Sequence, residues 1–238
     1  LMRVFHCDHC GHLLFFENTT CVACGHLVAY LPDLQLIGSL DRADDAVWRS
    51  PLDKAPGTYR LCRNYEREQI CNWAIPDGDD NPLCLSCRLT RTIPDLSRPK
   101  NAARLADVEA AKRRVLFRLI TCGLPIVPKG DDDARGLAFD LLEPRPDAPP
   151  VMTGHAGGLV TINVAEADDD YREMHRESLK EPYRTIIGHL RHELGHYYWD
   201  LLIRDGAWLE PFRALFGEER ANYGDALQHH YRVGPPGD

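Results

Sequence analysis

Eight of the nine cysteines in this 238-residue chain fall into two spaced sets, and no other feature limits its fold so strongly. Cys7-x2-Cys10 and Cys21-x2-Cys24 lie ten residues apart in FHCDHCGHLLFFENTTCVACG. Each pair is a tight knuckle suited to one side of a tetrahedral Zn2+, and Gly11 and Gly25 after the second cysteine let the backbone N–H groups turn towards the thiolates. The spacing predicts a zinc ribbon. His6, His9, His12 and His26 surround it, but four thiolates complete the shell, which leaves these histidines outer or surface roles. The second set, Cys62, Cys71 and Cys84-x2-Cys87, is looser, with eight residues between its first two members. It reads as a second structural zinc, the plainer alternative being four buried thiols. A segment this small lacks a large core, so a bound metal supplies folding free energy that packing does not. Cys122 stands alone.

The N-terminal residues lack the charged start and apolar core of a secretory signal, so metal rather than disulfides and a cytoplasmic location are expected. No apolar run approaches the ~20 residues of a membrane span. A net charge of −8 argues against a general nucleic-acid or anionic-membrane binder. Arg88, Arg91, Arg98, Lys100, Arg104, Lys112, Arg113, Arg114 and Arg118 nevertheless form a local basic segment, most simply a solvated helix face.

The second strong signal is Tyr183 to Ile203, YRTIIGHLRHELGHYYWDLLI. Glu181-Pro182 offers a proline near a first helical turn, and Ile186, Leu190, Leu194, Leu201 and Leu202 supply a packing face. Residues four apart share one side of a helix, so His192 and His196 direct two imidazoles at one point with the Glu193 carboxylate beside them. Two neutral imidazoles leave a zinc ion its charge and its open positions. A water there approaches neutral pKa, and Glu193 is the base that takes its proton. Gly188 and Gly195 thin the helix, either for a substrate or ion or for ordinary helix packing. His189 shares the face of His192 and His196 and reads equally as a contact to metal or substrate and as a packing residue. For an oxyanion stabiliser the chain offers Tyr197, Tyr198, Tyr223 and Tyr231 without distinguishing among them.

Between these signals, Leu105, Val108, Ala111, Val115 and Leu119 mark an amphipathic helix ended by Gly123 and Pro125, with the basic residues mostly off the apolar stripe. A composition change near Pro94 to Lys100 divides the chain into residues 1–97 and 98–238. Short strands are expected at 136–142 and 157–164. The second alternates Leu159, Thr161 and Asn163 on one face and is read either as a substrate-pairing strand beside the metal helix or, more simply, as an ordinary sheet strand. Glu166-Ala-Asp168-Asp169-Asp170 reads as a helix start rather than a cation site.

The third ligand is the open question. A histidine ten residues after His192 is absent, since Leu202 stands there, which excludes the long histidine signature of the metzincins. Glu218-x-x-Ala221-Asn222 looks like the E-x-x-A-[DN] helix of glutamate-type zinc peptidases and makes Glu218 the first candidate. Glu219, Asp225, His229 and His230 are the alternatives.

Through FHCDHCGHLLFFENTTCVACG, LCLSCRLTRTIPDLS, VMTGHAGGLVTIN, EPYRTIIGHLRHELGHYYWDLL and FRALFG, the chain resembles a bacterial family of zinc-binding metallopeptidases with an N-terminal zinc ribbon. The resemblance implies ribbon ligands Cys7, Cys10, Cys21 and Cys24, metal histidines His192 and His196, and base Glu193. It also implies a further helix beyond residue 238, with a Glu-Asp-x-Ala-Glu segment, as another source of the third ligand. The expected fold is α+β: a cysteine-rich zinc-ribbon region with two four-cysteine sites, then a mainly helical, zincin-like metallopeptidase domain with a small sheet. The expected cofactors are one catalytic and two structural Zn2+ ions, and the expected partner is a peptide or protein substrate. The runner-up is a zinc-ribbon scaffold that binds nucleic acid or protein and carries an idle HELGH helix.

Overall fold

The computed structural model describes residues 3–52, 57–179 and 185–233. The chain forms two compact units, the first running to Tyr197 and the second beginning at Tyr198.

The first unit opens with an antiparallel pair, β1 (Phe5–His6) and β2 (Leu13–Leu14), flanking the first cysteine knuckle. An antiparallel sheet follows, in which β3 (Leu27–Leu31), β4 (Leu36–Asp44), β5 (Val47–Arg49), β6 (Thr58–Leu61) and β7 (Ala74–Pro76) are neighbours in chain order. Tyr59 and Leu61 alternate inward from β6 and join Ala29, Leu31, Leu40 and Ala74 in one apolar cluster. β3 reads LVAYL without alternation because it is covered on both faces. Tyr30 on its far side packs against Trp73 at 4.4 Å and Phe117 at 5.5 Å. Two single-turn helices, α1 (Arg63–Glu66) and α2 (Leu85–Arg88), begin directly after Cys62 and Cys84.

The longest helix, α3 (Asn101–Thr121), buries Leu105, Val108, Ala111 and Val115 as their spacing predicts, and adds Leu116 and Phe117. Gly123, at φ 71°, closes it by donating its N–H to the Ile120 carbonyl. Two basic residues depart from the expected solvated face, because Lys112 and Arg113 are both buried. The reason is that α3 is covered from two directions. Phe117 meets Phe5, Phe16 and Tyr30 on one side, while Thr90 and Phe139 close over Lys112 on the other. A charge with no route to water must find partners. Lys112 therefore pairs with Glu109 at 2.8 Å and donates to the Thr90 hydroxyl, and Arg113 donates to the Ile70 carbonyl at 2.5 Å.

Most of the remaining basic segment is neutralised locally. Arg88 pairs with Asp79, Arg91 with Asp140, Arg98 with Glu143, Arg114 with Glu17, and both Lys100 and Arg104 with Asp168.

A second sheet has the order β10-β11-β9-β8, from β8 (Thr90–Thr92), β9 (Ala138–Leu142), β10 (Gly154–Ala156) and β11 (Leu159–Asn163). β8, β9 and β11 run parallel, and β10 is antiparallel to β11. Gly157 and Gly158, at φ 53° and 82°, make the two-residue turn between β10 and β11, which requires positive φ at both positions. β11 is paired on both edges from Leu159 to Thr161, so that stretch of its backbone has no free side for a substrate. It is the ordinary interior strand of the simpler reading, and β10 is the outer strand at this edge.

A 3-10 turn, Val164–Ala167, leads into α4 (Asp169–Leu179), whose first turn holds Asp169 and Asp170 as the helix-start reading expects. Then comes α5 (Ile186–Leu202), with Leu190 and Leu194 buried. Glu181 and Pro182, expected near its first turn, lie outside the described residues. In the second unit are α6 (Leu209–Phe216), where Phe212 packs against Trp199 at 6.2 Å, and α7 (Tyr223–Val233). Among the described residues no helix is long and apolar enough to cross a membrane.

Lys112→Met removes the cation from beside a buried carboxylate. Urea denaturation is expected to show a loss of about 3–5 kcal/mol, most of it recovered in Glu109→Gln/Lys112→Met, where neither charge remains.

Candidate metal centres

The two ribbon knuckles are built alike. Cys7 N–H donates to the His12 carbonyl and Gly11 N–H to the Cys7 carbonyl, while Cys21 with His26 and Gly25 with Cys21 repeat the pattern, each at 2.8 Å. Gly11 and Gly25 sit at φ 72° and 75°, the left-handed turn that a side chain disfavours. The knuckles bring Cys7 Sγ to 3.6 Å from Cys24 Sγ and Cys10 Sγ to 3.6 Å from Cys21 Sγ. A disulfide needs about 2.05 Å. Thiolates at the corners of a zinc tetrahedron, with Zn–S of about 2.3 Å, stand about 3.8 Å apart. Burial opposes ionisation of Cys7, but the Ser39 hydroxyl at 3.4 Å and backbone N–H groups outweigh it and hold the thiol at about 6.

The second set, expected from a looser spacing, closes as well as the first. Cys62, Cys71, Cys84 and Cys87 are all buried, with Cys71 and Cys84 Sγ 3.7 Å apart. Cys84 N–H points at Cys62 Sγ and Trp73 N–H at Cys71 Sγ, both at 3.4 Å, which suits thiolate acceptors. Hydrogen bonding from Cys71 holds Cys62 well below the usual thiol range. Burial pushes Cys84 well above it, and hydrogen bonding with Cys62 and Cys71 does the same to Cys87. Four cysteine sulfurs converge in each set, and a tetrahedral zinc fits both donor sets.

On α5 the buried Leu190 and Leu194 anchor one side, and His192 and His196 are exposed on another. Their rings stand 4.7 Å apart at 85°, with the two Nε2 atoms separated by 3.1 Å. At a Zn–N distance of about 2.1 Å that separation corresponds to an N–Zn–N angle of about 95–100°. Glu193 is 9% exposed, and among the described residues of the first unit no hydrogen bond or ion pair engages its carboxylate. A Cβ added at Gly195 would meet open space.

His189 is more than a packing residue. Its Nδ1 contacts the carboxylate of Glu166, which is buried and accepts a second hydrogen bond from the Thr153 hydroxyl at 2.9 Å. The sequence reading missed this buried carboxylate because Glu166 stands in a run of acids that otherwise opens α4. Among the described residues of the first unit, His189 does not close a three-donor cluster with His192 and His196. Tyr197 donates its hydroxyl hydrogen to the Arg135 carbonyl at 2.7 Å and so clamps α5 to the loop before β9. The side chains of Tyr223, His230 and Tyr231 lie outside those described.

In the second unit, Glu218 to Asn222 is not the helix its resemblance implied but the turn between α6 and α7. Gly217, at φ 88°, ends α6, and the Asn222 side chain accepts from the Asp225 N–H at 3.2 Å, starting α7. Glu218 accepts two hydrogen bonds from Arg220, both at 2.7 Å, which hold its pKa down to about 2. Glu219 is gripped by Arg213 at 2.9 and 2.6 Å. His229 Nδ1 lies 3.4 Å from Arg232.

The two cysteine centres should respond differently to the loss of one ligand. Cys84→Ser is expected to lose one zinc per chain together with the cooperative thermal transition. Cys10→Ser, at an exposed ligand, should lose one zinc with a smaller fall in Tm. Elemental analysis and calorimetry on the same preparations check both.

Two family profiles match the chain. A "Putative zinc-binding metallo-peptidase" profile covers residues 101–238, and a zinc-ribbon domain profile covers residues 4–98. Uncharacterized proteins of Mycobacterium tuberculosis and Mycobacterium bovis are each 42% identical over 236 residues, 99% of this chain. The chain spans 64% of the length of these relatives. No solved structure matches. With a zinc-ribbon profile on its cysteine-rich part and a peptidase profile over more than half its length, the chain belongs to the family of zinc-binding metallo-peptidases that carry an N-terminal zinc ribbon.

Proposed function

We propose that this chain carries the catalytic helix of a zinc-dependent peptidase that hydrolyses peptide or isopeptide bonds. The observation that supports it most directly is the pair of exposed imidazole nitrogens 3.1 Å apart on α5, the helix that also carries the buried Glu193. His192 and His196 are the residues that would hold the ion. When bound there, zinc supplies Lewis-acid charge and lowers the pKa of water towards neutrality. Glu193 takes the proton of the water that attacks the peptide carbonyl and delivers it to the departing amine. Gly195 leaves room above the histidines for the substrate backbone. Glu166 holds His189 by Nδ1, so that its Nε2 is presented at a fixed orientation on the same helix face.

The third ligand is Glu218 or a donor from the part of the family outside the matched stretch. Glu218 must exchange Arg220 for the metal to serve. The reducing cytoplasm fits a chain that keeps eight thiols in two metal-binding clusters. The scaffold reading draws less support from the basic segment than its composition suggests, because carboxylates pair with Arg88, Arg91, Arg98, Lys100, Arg104, Lys112 and Arg114 within the first unit.

Glu193→Gln is expected to retain full zinc content while peptide hydrolysis falls by about 10²–10⁴-fold. Undiminished turnover would remove Glu193 as the base. Gly195→Ala should raise folding stability by up to about 1 kcal/mol, as alanine is the better helix former. It should lower kcat/KM at the same time, because the added methyl intrudes where the substrate lies. A stabilised variant with unchanged kcat/KM would place the substrate elsewhere.

A further inference from the structure

A third group of donors lies outside the peptidase helix and outside both cysteine shells. His9 projects from the first ribbon knuckle, His26 follows the second, and Asp41 stands on β4. Their donor atoms all lie within 4.8 Å of one another. The two imidazoles stack at 3.6 Å with 17° between their planes, and both present Nε2 to the same carboxylate oxygen of Asp41, at 3.1 and 3.9 Å. The three residues come from separate segments that only the ribbon fold brings together.

The hydrogen bonding of His26 gives this arrangement its chemistry. Its Nδ1 lies 3.3 Å from Cys24 Sγ. With zinc on the ribbon cysteines, the Cys24 thiolate only accepts, so Nδ1 would carry the ring hydrogen and Nε2 of the neutral ring a lone pair. That lone pair and the Asp41 oxygen, 3.9 Å apart, are two acceptors facing each other, an arrangement that a cation between them would stabilise. Two imidazole nitrogens and one carboxylate oxygen suit a borderline divalent transition ion such as Zn2+, Co2+ or Ni2+ and do not suit Ca2+ or Mg2+. All three side chains are partly exposed, which leaves coordination positions for water or an outside ligand. His26 is held by Cys24, so His9 is the ring that tips out of the parallel stack to converge on the ion.

We propose that His9, His26 and Asp41 form a solvent-facing site of two histidines and one carboxylate for a divalent transition metal, in contact with the ribbon zinc through the Cys24 thiolate. Metal on Nε2 draws electron density from the ring, strengthens the Nδ1–H bond to Cys24 and ties the ribbon to β4.

The test is a Co2+ titration of the full chain with its thiolate sites already loaded with zinc, read by visible absorption and calorimetry beside His9→Ala, Asp41→Asn and His192→Ala. The expected result is an equivalent separate from any that the α5 histidines take up, without thiolate-to-cobalt charge-transfer bands, weakened about tenfold or more by His9→Ala and by Asp41→Asn and still present in His192→Ala. The zinc content of the cysteine centres should be the same in all the proteins. An added equivalent lost only in His192→Ala belongs to α5 and overturns the proposal. So does the absence of any added equivalent, which would leave a proton rather than a metal between His26 and Asp41.

Discussion

Thiolates confined within a few ångströms of one another repel unless a cation sits among them, and the N-terminal half of the first unit is arranged around two such confinements. The sulfur separations of 3.6 and 3.7 Å suit a zinc tetrahedron and are far too long for a disulfide. The short elements follow from this. Two-residue strands, single-turn helices and two glycine knuckles have too little apolar area to hold themselves in place, but they need only deliver a sulfur atom to a common centre. The exposed ribbon centre and the sealed second centre also differ in what surrounds them. The first is flanked by histidines and an aspartate that reach solvent, and the second is buried on every side.

α3 carries that anchored region into the rest of the first unit. Its Phe117 packs among Phe5, Phe16 and Tyr30, and its Lys112 lies beneath Thr90 and Phe139. The same enclosure that excludes water from Lys112 obliges Glu109 to accompany it. The acid–base pairs of the basic segment follow the same rule at lower stakes, since partly exposed pairs contribute modestly while each fixes a register between segments. Arg104 and Asp168 thereby tie α3 to the turn that ends in α4.

Helix α5 depends on this frame through two contacts. Tyr197 is bonded to the Arg135 carbonyl, and His189 is held by Glu166 at the end of the second sheet. α5 therefore has its rotation set by groups that the sheet positions, and that rotation decides where His192 and His196 point. An ion held by this pair of imidazoles would need little rearrangement of the helix.

What the sequence determined by itself is what depends on spacing along one chain segment. C-x2-C pairs with following glycines specify knuckles, a 3.6-residue period specifies α3 and α5, and the four-residue interval specifies that His192 and His196 share a face. These are local constraints, and they were legible because backbone geometry alone enforces them. Tertiary structure decided whatever depends on which segments meet: the closure of Cys62 and Cys71 onto Cys84 and Cys87, the burial of Lys112, the interior place of β11, the pairing of Glu166 with His189, and the turn conformation of Glu218 to Asn222. A residue's type does not state whether a second wall will cover it or which distant carboxylate will face it. Those outcomes are set by packing, where the cost of leaving a charge or a hydrogen-bonding group without a partner selects the arrangement.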